Sequence, residues 1–255
     1  MTGAKIFTVA NQKGGVGKTS SVIQIASGLA RRGEKVLMID GDPQGNLTLF
    51  FGAKDKRDFS ALVSDLAKGE KTKADAYINA RVRRNLDLIP AGNKRLRLDV
   101  RDSEIIGDYA RFTDFINPLR DRYEWIIIDS SPSNSPLEHM LIRASDAVII
   151  PLEFQLYSVS GLESILDEVR ACSAEAGREI HVHSLLFTKA ENRLHRVQTY
   201  RELFSSFHIP VYEICKSEYI SRSLEKSRTI WECGPSSYAA RDYRTLLDKG
   251  FPVRQ

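Results

Sequence analysis

The residues most able to do chemistry stand together near the N-terminus, in the stretch Asn11–Gln12–Lys13–Gly14–Gly15–Val16–Gly17–Lys18–Thr19–Ser20. Gly14, Gly15 and Gly17 permit tight turns in which successive backbone N–H groups, those of Val16 to Ser20 included, face an anion. Lys18 is a long cation able to reach the outer phosphates of a nucleotide, and Thr19 offers a hydroxyl to magnesium. Such a loop needs a strand before it and a helix after it, whose N-terminus adds its positive dipole. Both flanks are present. Ile6 to Ala10 is a short apolar run, Val22, Ile25, Ala26, Leu29 and Ala30 recur at helical spacing, and Gly33 reads as that helix's stop.

Two other apolar runs end on an acid. Lys35–Val36–Leu37–Met38–Ile39–Asp40 leads into Gly41–Asp42–Pro43–Gln44–Gly45–Asn46, and Trp125–Ile126–Ile127–Ile128–Asp129 leads into Ser130–Ser131–Pro132. Open parallel sheets collect ligands at the carboxyl ends of their strands, which makes these acids site candidates. The second run has the form of a Walker B strand, with Asp129 acting through water on the Thr19-bound magnesium. Residue types alone do not separate the roles of Asp40 and Asp42, and either can instead close an Asx turn.

The loop carries Gln12 where a phosphate-binding loop usually begins with glycine, and a second lysine, Lys13, follows. In this it resembles the deviant loop of the ParA/MinD family of partitioning and positioning ATPases, Lys-Gly-Gly-x-Gly-Lys-Thr/Ser. Residues 40–46 resemble that family's Asp-x-Asp-Pro-Gln-Gly-Asn switch. The resemblance runs from Ile6 to about Leu247, is sharpest at residues 11–19 and 40–46, and weakens past residue 189. It implies an ATPase converting ATP and water to ADP and phosphate, with Mg2+ as cofactor and ATP sandwiched in a homodimer. Lys13 would reach the partner's nucleotide, Lys18 would neutralise phosphate charge, and Asp42 would position the attacking water. Thr19, Asp40 and Asp129 would hold or support the metal. Ser131 departs from the family's Asp-x-Pro-Pro, which relaxes φ and leaves an N–H available. Further on, Pro151 and Gly161 match a family run in which Gln155 stands near the usual acid, and Gln155 is given no direct role.

At 255 residues, 42% hydrophobic and 27% charged, the composition is that of an ordinary globular protein with a well-buried core. No stretch approaches the roughly 18 apolar residues of a membrane span. No signal-peptide pattern opens the chain, so a cytoplasmic location is expected. Cys172, Cys215 and Cys233 are scattered and odd in number, so free thiols are expected, and neither they nor the five histidines show metal-ligand spacing. Further strands are expected at Leu86 to Pro90, Ala147 to Pro151, Val182 to Phe187 and Val211 to Ile214. Helices are expected over 59–67, 102–116 and 158–169. Strands separated by helical patterns predict an α/β fold, an open, mainly parallel twisted sheet with helices on both faces. With the loop, it resembles a deviant P-loop NTPase, expected as one domain over 1–255 with a less regular charged insertion around 50–84.

Formal net charge is +4, too mild by itself to prove a nucleic-acid partner. Its distribution is uneven. Arg81, Arg83, Arg84, Lys94, Arg95, Arg97 and Arg101 form one basic stretch; Arg193, Arg196, Arg201, Lys216, Arg222, Lys226 and Arg228 form another, interspersed with glutamates. Mixed charges on helices ordinarily make a solvated, salt-bridged face. Gathered into one stripe by folding and dimerisation, they would bind DNA phosphates whatever the base sequence, with strong salt dependence. The resemblance favours Arg193, Arg196, Lys216, Arg222 and Arg228 as a surface for nonspecific double-stranded DNA, although Cys215 to Ser223 departs from the family's Pro-Arg-x-x-x-Leu-Ser-Glu-Ala. It also implies nucleoid association and a ParB-like centromere-binding or adaptor protein that stimulates hydrolysis. Direct membrane contact is not expected, because Gly250 and Pro252 interrupt the tail and Tyr243, Leu246 and Leu247 suit docking on the sheet. The rival readings are a MinD-like membrane-associated positioning ATPase and a P-loop small-molecule kinase or ligase.

Overall fold

The computed structural model describes residues 3–53, 57–92, 109–132, 135–155, 157–190 and 195–252. Strand β1 (Lys5–Val9) feeds the glycine loop and helix α1 (Lys18–Arg31). Then come β2 (Val36–Gly41), α2 (Asn46–Phe51), α3 (Phe59–Ala67) and the hairpin of β3 (Asn79–Arg83) and β4 (Leu86–Ile89). α4 (Tyr109–Ile116) passes through a 3₁₀ turn into β5 (Trp125–Ser130), followed by α5 (Pro136–Ala144), β6 (Ala147–Leu152) and α6 (Tyr157–Ala176). The remainder is β7 (His181–Ala190), α7 (His195–Ser205), β8 (Val211–Cys215), α8 (Glu218–Glu225), α9 (Ile230–Cys233) and α10 (Tyr238–Gly250).

Among the described residues the strands form one sheet in the order β3-β4-β2-β5-β1-β6-β7-β8. Every neighbouring pair is parallel except β3–β4 at the edge. Successive side chains of a strand point to opposite faces, and here both faces are apolar. Phe7, Val9, Val36, Met38, Trp125 and Ile127 pack against α1, α2, α9 and α10; Ile6, Leu37, Ile39, Ile126 and Ile128 pack against α3, α4 and α5. β6 and β7 bury Val148, Ile150, Leu185 and Phe187 against α6 and α7. The expected α/β sheet with helices on both faces is therefore present.

β1 sits between β5 and β6, so the chain leaves it toward β2 on one side and later builds β6 on the other. That reversal opens a crevice at the carboxyl end of β1, where the glycine loop begins. Register brings the acids there as well: Asp40 lies beside Asp129, and Asp129 beside Val9.

The structure differs from the sequence expectations in extent more than in kind. Residues 50–84 hold α3, whose N-cap is Asp58 accepting from the Ala61 N–H at 2.8 Å, and strand β3, which was not expected. β3 forms because Arg84–Asn85 makes a two-residue hairpin turn, with Asn85 in a left-handed conformation (φ 59°) that asparagine tolerates. α6 continues past Val169 to Ala176, and α5 is a helix that the apolar spacing did not reveal. Asp102, Ile105 and Ile106, assigned to a helix, lie outside the described residues, as do Lys94, Arg95, Arg97 and Arg101. In α10, Tyr243, Leu246 and Leu247 are buried, and Phe251 just beyond it is too, so the apolar face of this tail helix is spent on the core. Among the described residues no helix is long and apolar enough to cross a membrane.

Gly28 sets how closely α1 meets α9 and α10. A Cβ there would stand 2.9 Å from Trp231 Cζ2 and closer still to Leu247 Cδ1. Alanine would favour the helix by roughly 1 kcal/mol, but overpacking costs about 1–3 kcal/mol. Both neighbours are buried and cannot step aside, so Gly28→Ala is expected to lower the midpoint of urea unfolding; a raised midpoint would show that the α1–α10 seam has slack.

Candidate active site

The glycine loop is already folded as an anion cradle. Gly15 and Gly17 take left-handed conformations (φ 76° and 88°), and Gly17 is the N-cap of α1. Asn11, to which the sequence assigned no role of its own, pins the start of the loop. Its side-chain amide donates to Pro151 O at 2.6 Å, and its Oδ1 accepts from the Lys13 N–H at 2.8 Å. From β7, the Thr188 hydroxyl donates to Val16 O at 2.9 Å and Lys189 Nζ to Gly15 O at 3.0 Å. These bonds fix the cradle before any ligand arrives, and no short sequence pattern announces them.

A cleft of about 540 Å3 opens over the loop. Gly15, Gly17, Lys18, Thr19 and Ser20 form its floor, Asp42, Gln44 and Asn46 one side, and Leu224 with Ser227 from the α8 segment another. Lys18 is buried and donates to Asn11 O (2.9 Å) and Lys13 O (3.2 Å). Burial pulls its pKa down, opposed by the charges of Asp129, Glu138 and Asp42. Lys13 is far more exposed and donates to Gln155 Oε1 at 2.7 Å, with Glu153 3.9 Å away. Gln155, left without a role in the sequence reading, thus holds the second lysine of the loop.

The acids divide by what they touch. Asp40 Oδ2 accepts from both the Thr48 N–H (2.8 Å) and its hydroxyl (2.6 Å), and Oδ1 from the Asp42 N–H (3.3 Å), which ties β2 to α2. Asp42 Oδ1 accepts from the Gln44 N–H at 2.8 Å, an Asx turn that leaves the side chain on the cleft wall. Asp129 is fully buried. Among the described residues neither of its oxygens has a hydrogen-bond partner of ordinary geometry, although the nearby Thr19 hydroxyl favours its charged form.

Burial and the adjacent Asp40 push Asp129 well above the usual carboxylate range, and burial raises Asp40 to about 6 against its bonds to Thr48. The surroundings therefore hold more carboxylate than one lysine can balance. An orphaned buried aspartate beside a threonine hydroxyl is a donor set suited to a hard divalent cation, which would restore the ionised forms. Thr19 and Asp129 fit Mg2+, with Asp40 beside Asp129 in the neighbouring strand.

Glu138 is a fourth acid that the sequence reading missed. It lies in the first turn of α5, fully buried, with Oε1 accepting from the Ser130 hydroxyl at 3.4 Å. Burial pushes it up to about 8, the Lys18 charge opposing. An acid among Leu137, Leu141 and Ile142 was the available signal. Because the folded pKa lies above the unfolded 4.5, ionisation costs folded-state stability increasingly as pH rises from 4.5 to about 8. Glu138→Gln removes that cost. Its stability relative to the parent, from urea unfolding, is expected to grow by a few kcal/mol between about pH 5 and about pH 9. A difference independent of pH would sink the assignment.

Of the basic residues assigned to a nucleic-acid surface, Lys216, Arg222 and Arg228 are exposed around α8, and Arg222 meets Glu218 at 3.4 Å. Arg193 lies outside the described residues, and Arg196 is on α7. Arg201 makes two 2.6 Å bonds to Glu213 and is thereby neutralised. The first basic stretch comes close to the second: Arg83 Nη2 donates to Ser227 O at 3.3 Å. Arg31, Arg32, Arg83 and Arg84 line one groove there, with Thr229 and Glu232 opposite.

A family model described as an AAA domain matches residues 4–182. The sporulation initiation inhibitor protein Soj of Bacillus subtilis is 31% identical over 245 residues, covering 95% of this chain and 96% of its own. Among solved structures, an ATP complex of a McdA variant from Cyanothece is similar with a TM-score of 0.83 at 20% identity, covering 100% of this chain and 99% of that one. The septum site-determining protein MinD of Pyrococcus horikoshii, complexed with Mg-ADP, is similar with a TM-score of 0.75 at 18% identity, covering 98% and 96%. The chain belongs to the ParA/MinD family of ATPases, whose deviant lysine it carries as Lys13.

Proposed function

We propose that ATP switches this chain between a free form and a homodimer that holds DNA without regard to sequence, and that the cycle partitions or positions a DNA-linked cargo. The observation that carries this reading is the α8 segment. Its Leu224 and Ser227 wall the nucleotide cleft, while Arg222 and Arg228 of the same segment are exposed and Arg83 joins them through Ser227. Whatever rearranges the cleft wall on ATP binding therefore moves the basic surface. Gln24 of α1 strengthens the link, since its Oε1 accepts from the Ile230 N–H at 2.9 Å and its amide donates to Ser223 at 3.3 Å.

In this reading Lys18 exchanges its two carbonyl partners for phosphate oxygens, and the backbone N–H groups of residues 14–20 take the remaining charge. Asp42 orients the water for in-line attack from the cleft wall. Thr19 and Asp129, supported by Asp40, hold Mg2+, which when bound neutralises phosphate charge. Lys13 leaves Gln155 to reach the partner's nucleotide. An exposed contact of that kind holds by about 0–1 kcal/mol, so its release is cheap. A ParB-like or other adaptor protein on the cargo would stimulate hydrolysis and so end DNA retention.

Lys18→Ala is expected to abolish ATP binding, and Lys13→Ala to bind ATP as a monomer. Asp42→Ala should keep the ATP dimer while turnover falls by about 10²-fold or more, read by phosphate release. Equal turnover in Asp42→Ala and the parent would remove that residue from the mechanism.

The deciding experiment measures binding of Asp42→Ala to a scrambled duplex in apo, ADP and ATP states at two salt concentrations, with mass followed in parallel. ATP-dependent, salt-sensitive retention of a dimer is expected, and Arg222→Ala and Arg228→Ala should each lower the salt slope by roughly 1. An ATP dimer that ignores DNA would overturn the DNA reading and leave a protein or membrane surface as its target. A monomer that passes phosphate to a small acceptor would favour the kinase reading.

A further inference from the structure

Helices α5 and α6 bring together a set of side chains that the nucleotide cycle does not use. Glu168, Cys172 and Glu175 are spaced at four and three residues and so share one face of α6. His139 of α5 meets that face. Its Nδ1 lies 2.6 Å from Glu168 Oε1 and 3.5 Å from Cys172 Sγ, and Sγ lies 3.9 Å from the same Glu168 oxygen. The three ligand atoms are all within 4.8 Å of one another. On the other side of the ring, Nε2 is 2.9 Å from Glu175 Oε2. Cys172 is fully buried, while His139 and Glu168 are only slightly exposed. Tyr109 covers the imidazole at 5.0 Å between ring centroids, and Arg143 sits over Tyr109.

We propose that His139 Nδ1, Glu168 and Cys172 form a binding site for a Zn2+-class transition metal between α5 and α6, with Glu175 orienting the imidazole. The sequence shows no metal-ligand spacing for this set because it is assembled from two helices, so no local motif records it. Thiolate, carboxylate and neutral imidazole together balance a divalent charge and select zinc over magnesium, which prefers oxygen alone. Tetrahedral bonds of about 2.0–2.3 Å place ligand atoms about 3.3–3.7 Å apart. The two contacts to sulfur are already near that range; the imidazole–carboxylate contact has only to open by several tenths of an ångström. Glu175 supplies the outer carboxylate that ligating histidines ordinarily engage through their second nitrogen.

Without metal the thiol is inert. Burial pushes Cys172 up to about 12, the Glu168 and Glu175 charges adding to it. Metal binding would displace to solvent both the thiol proton and the Nδ1 proton that faces Glu168, and would pin α5 to α6. His139 and Glu138 are adjacent in α5, one meeting α6 and the other lying near Lys18, so the pin would also hold the helix that carries Glu138.

The test uses the full chain, stripped with a chelator and titrated with Co2+ without nucleotide. One thiolate-ligated Co2+ per chain is expected, with a thiolate-to-cobalt charge-transfer band that Zn2+ abolishes and excess Mg2+ leaves intact. The described lining of the nucleotide cleft has no thiol, so metal bound there cannot give the band. Cys172→Ser should lose the band and Cys215→Ser keep it, while Glu175→Gln should weaken binding by at least about 10-fold. Co2+ binding by the parent protein without a thiolate band, or a band that survives in Cys172→Ser, would overturn the proposal. Because the readout is spectroscopic and nucleotide-free, it stands or falls apart from the DNA switch.

Discussion

Lys18 is a single buried ammonium facing Asp129, Glu138 and Asp42, with Asp40 beside Asp129 in the next strand. The rest of the structure is arranged around keeping that imbalance in place. Central parallel strands hold the acids in register, and apolar helices on both faces keep water away from them. Desolvation makes the charges costly, which is why Asp129, Asp40 and Glu138 are all raised. The same desolvation makes the pocket receptive to a divalent cation and a polyphosphate together, since each supplies the charge the other lacks. An empty, solvated loop would bind both more weakly.

The cradle is rigid where the reacting atoms sit and soft where subunits would exchange contacts. Asn11, Thr188 and Lys189 fasten the loop to β6 and β7 by direct hydrogen bonds. Lys13, by contrast, has a side chain that is 42% exposed and is held through surface contacts with Gln155 and Glu153. The two lysines of one short loop thus have opposite mechanical characters, set by burial rather than by residue type. That difference suits a site in which one charge must be present from the start and the other must be free to move.

α1 carries this local chemistry outward. Its first residues floor the cleft, Gln24 bonds to Ser223 and Ile230, and Gly28 admits Trp231 and Leu247 at close range. In the proposed switch, a helix so tightly seated would carry a shift at its N-terminus to α8 and α9 as a rigid body, because packed interiors do not deform gradually. Exposed Arg222 of α8 and Arg228 just beyond it lie at the end of those contacts.

Much of the chemistry was legible along the chain because phosphate loops and acid-tipped strands are local devices. Gly14 to Thr19, Asp40, Asp42 and Asp129 are each within a few residues of the strand that presents them, and periodicity alone identifies those strands. The parallel sheet followed for the same reason, from apolar runs alternating with helical spacing. The reading failed where partners are remote in sequence. Glu138 owes its raised pKa to burial between packed elements, and the cation that opposes the shift, Lys18, opens helix α1, far from it in sequence. Gln155 became the partner of Lys13 only when the end of β6 came up beside the glycine loop, and His139, Glu168 and Cys172 became neighbours only when α5 and α6 packed side by side. Periodicity says that a helix has a buried face; which groups meet across that face is decided by the packing of whole elements, and that information exists only in three dimensions.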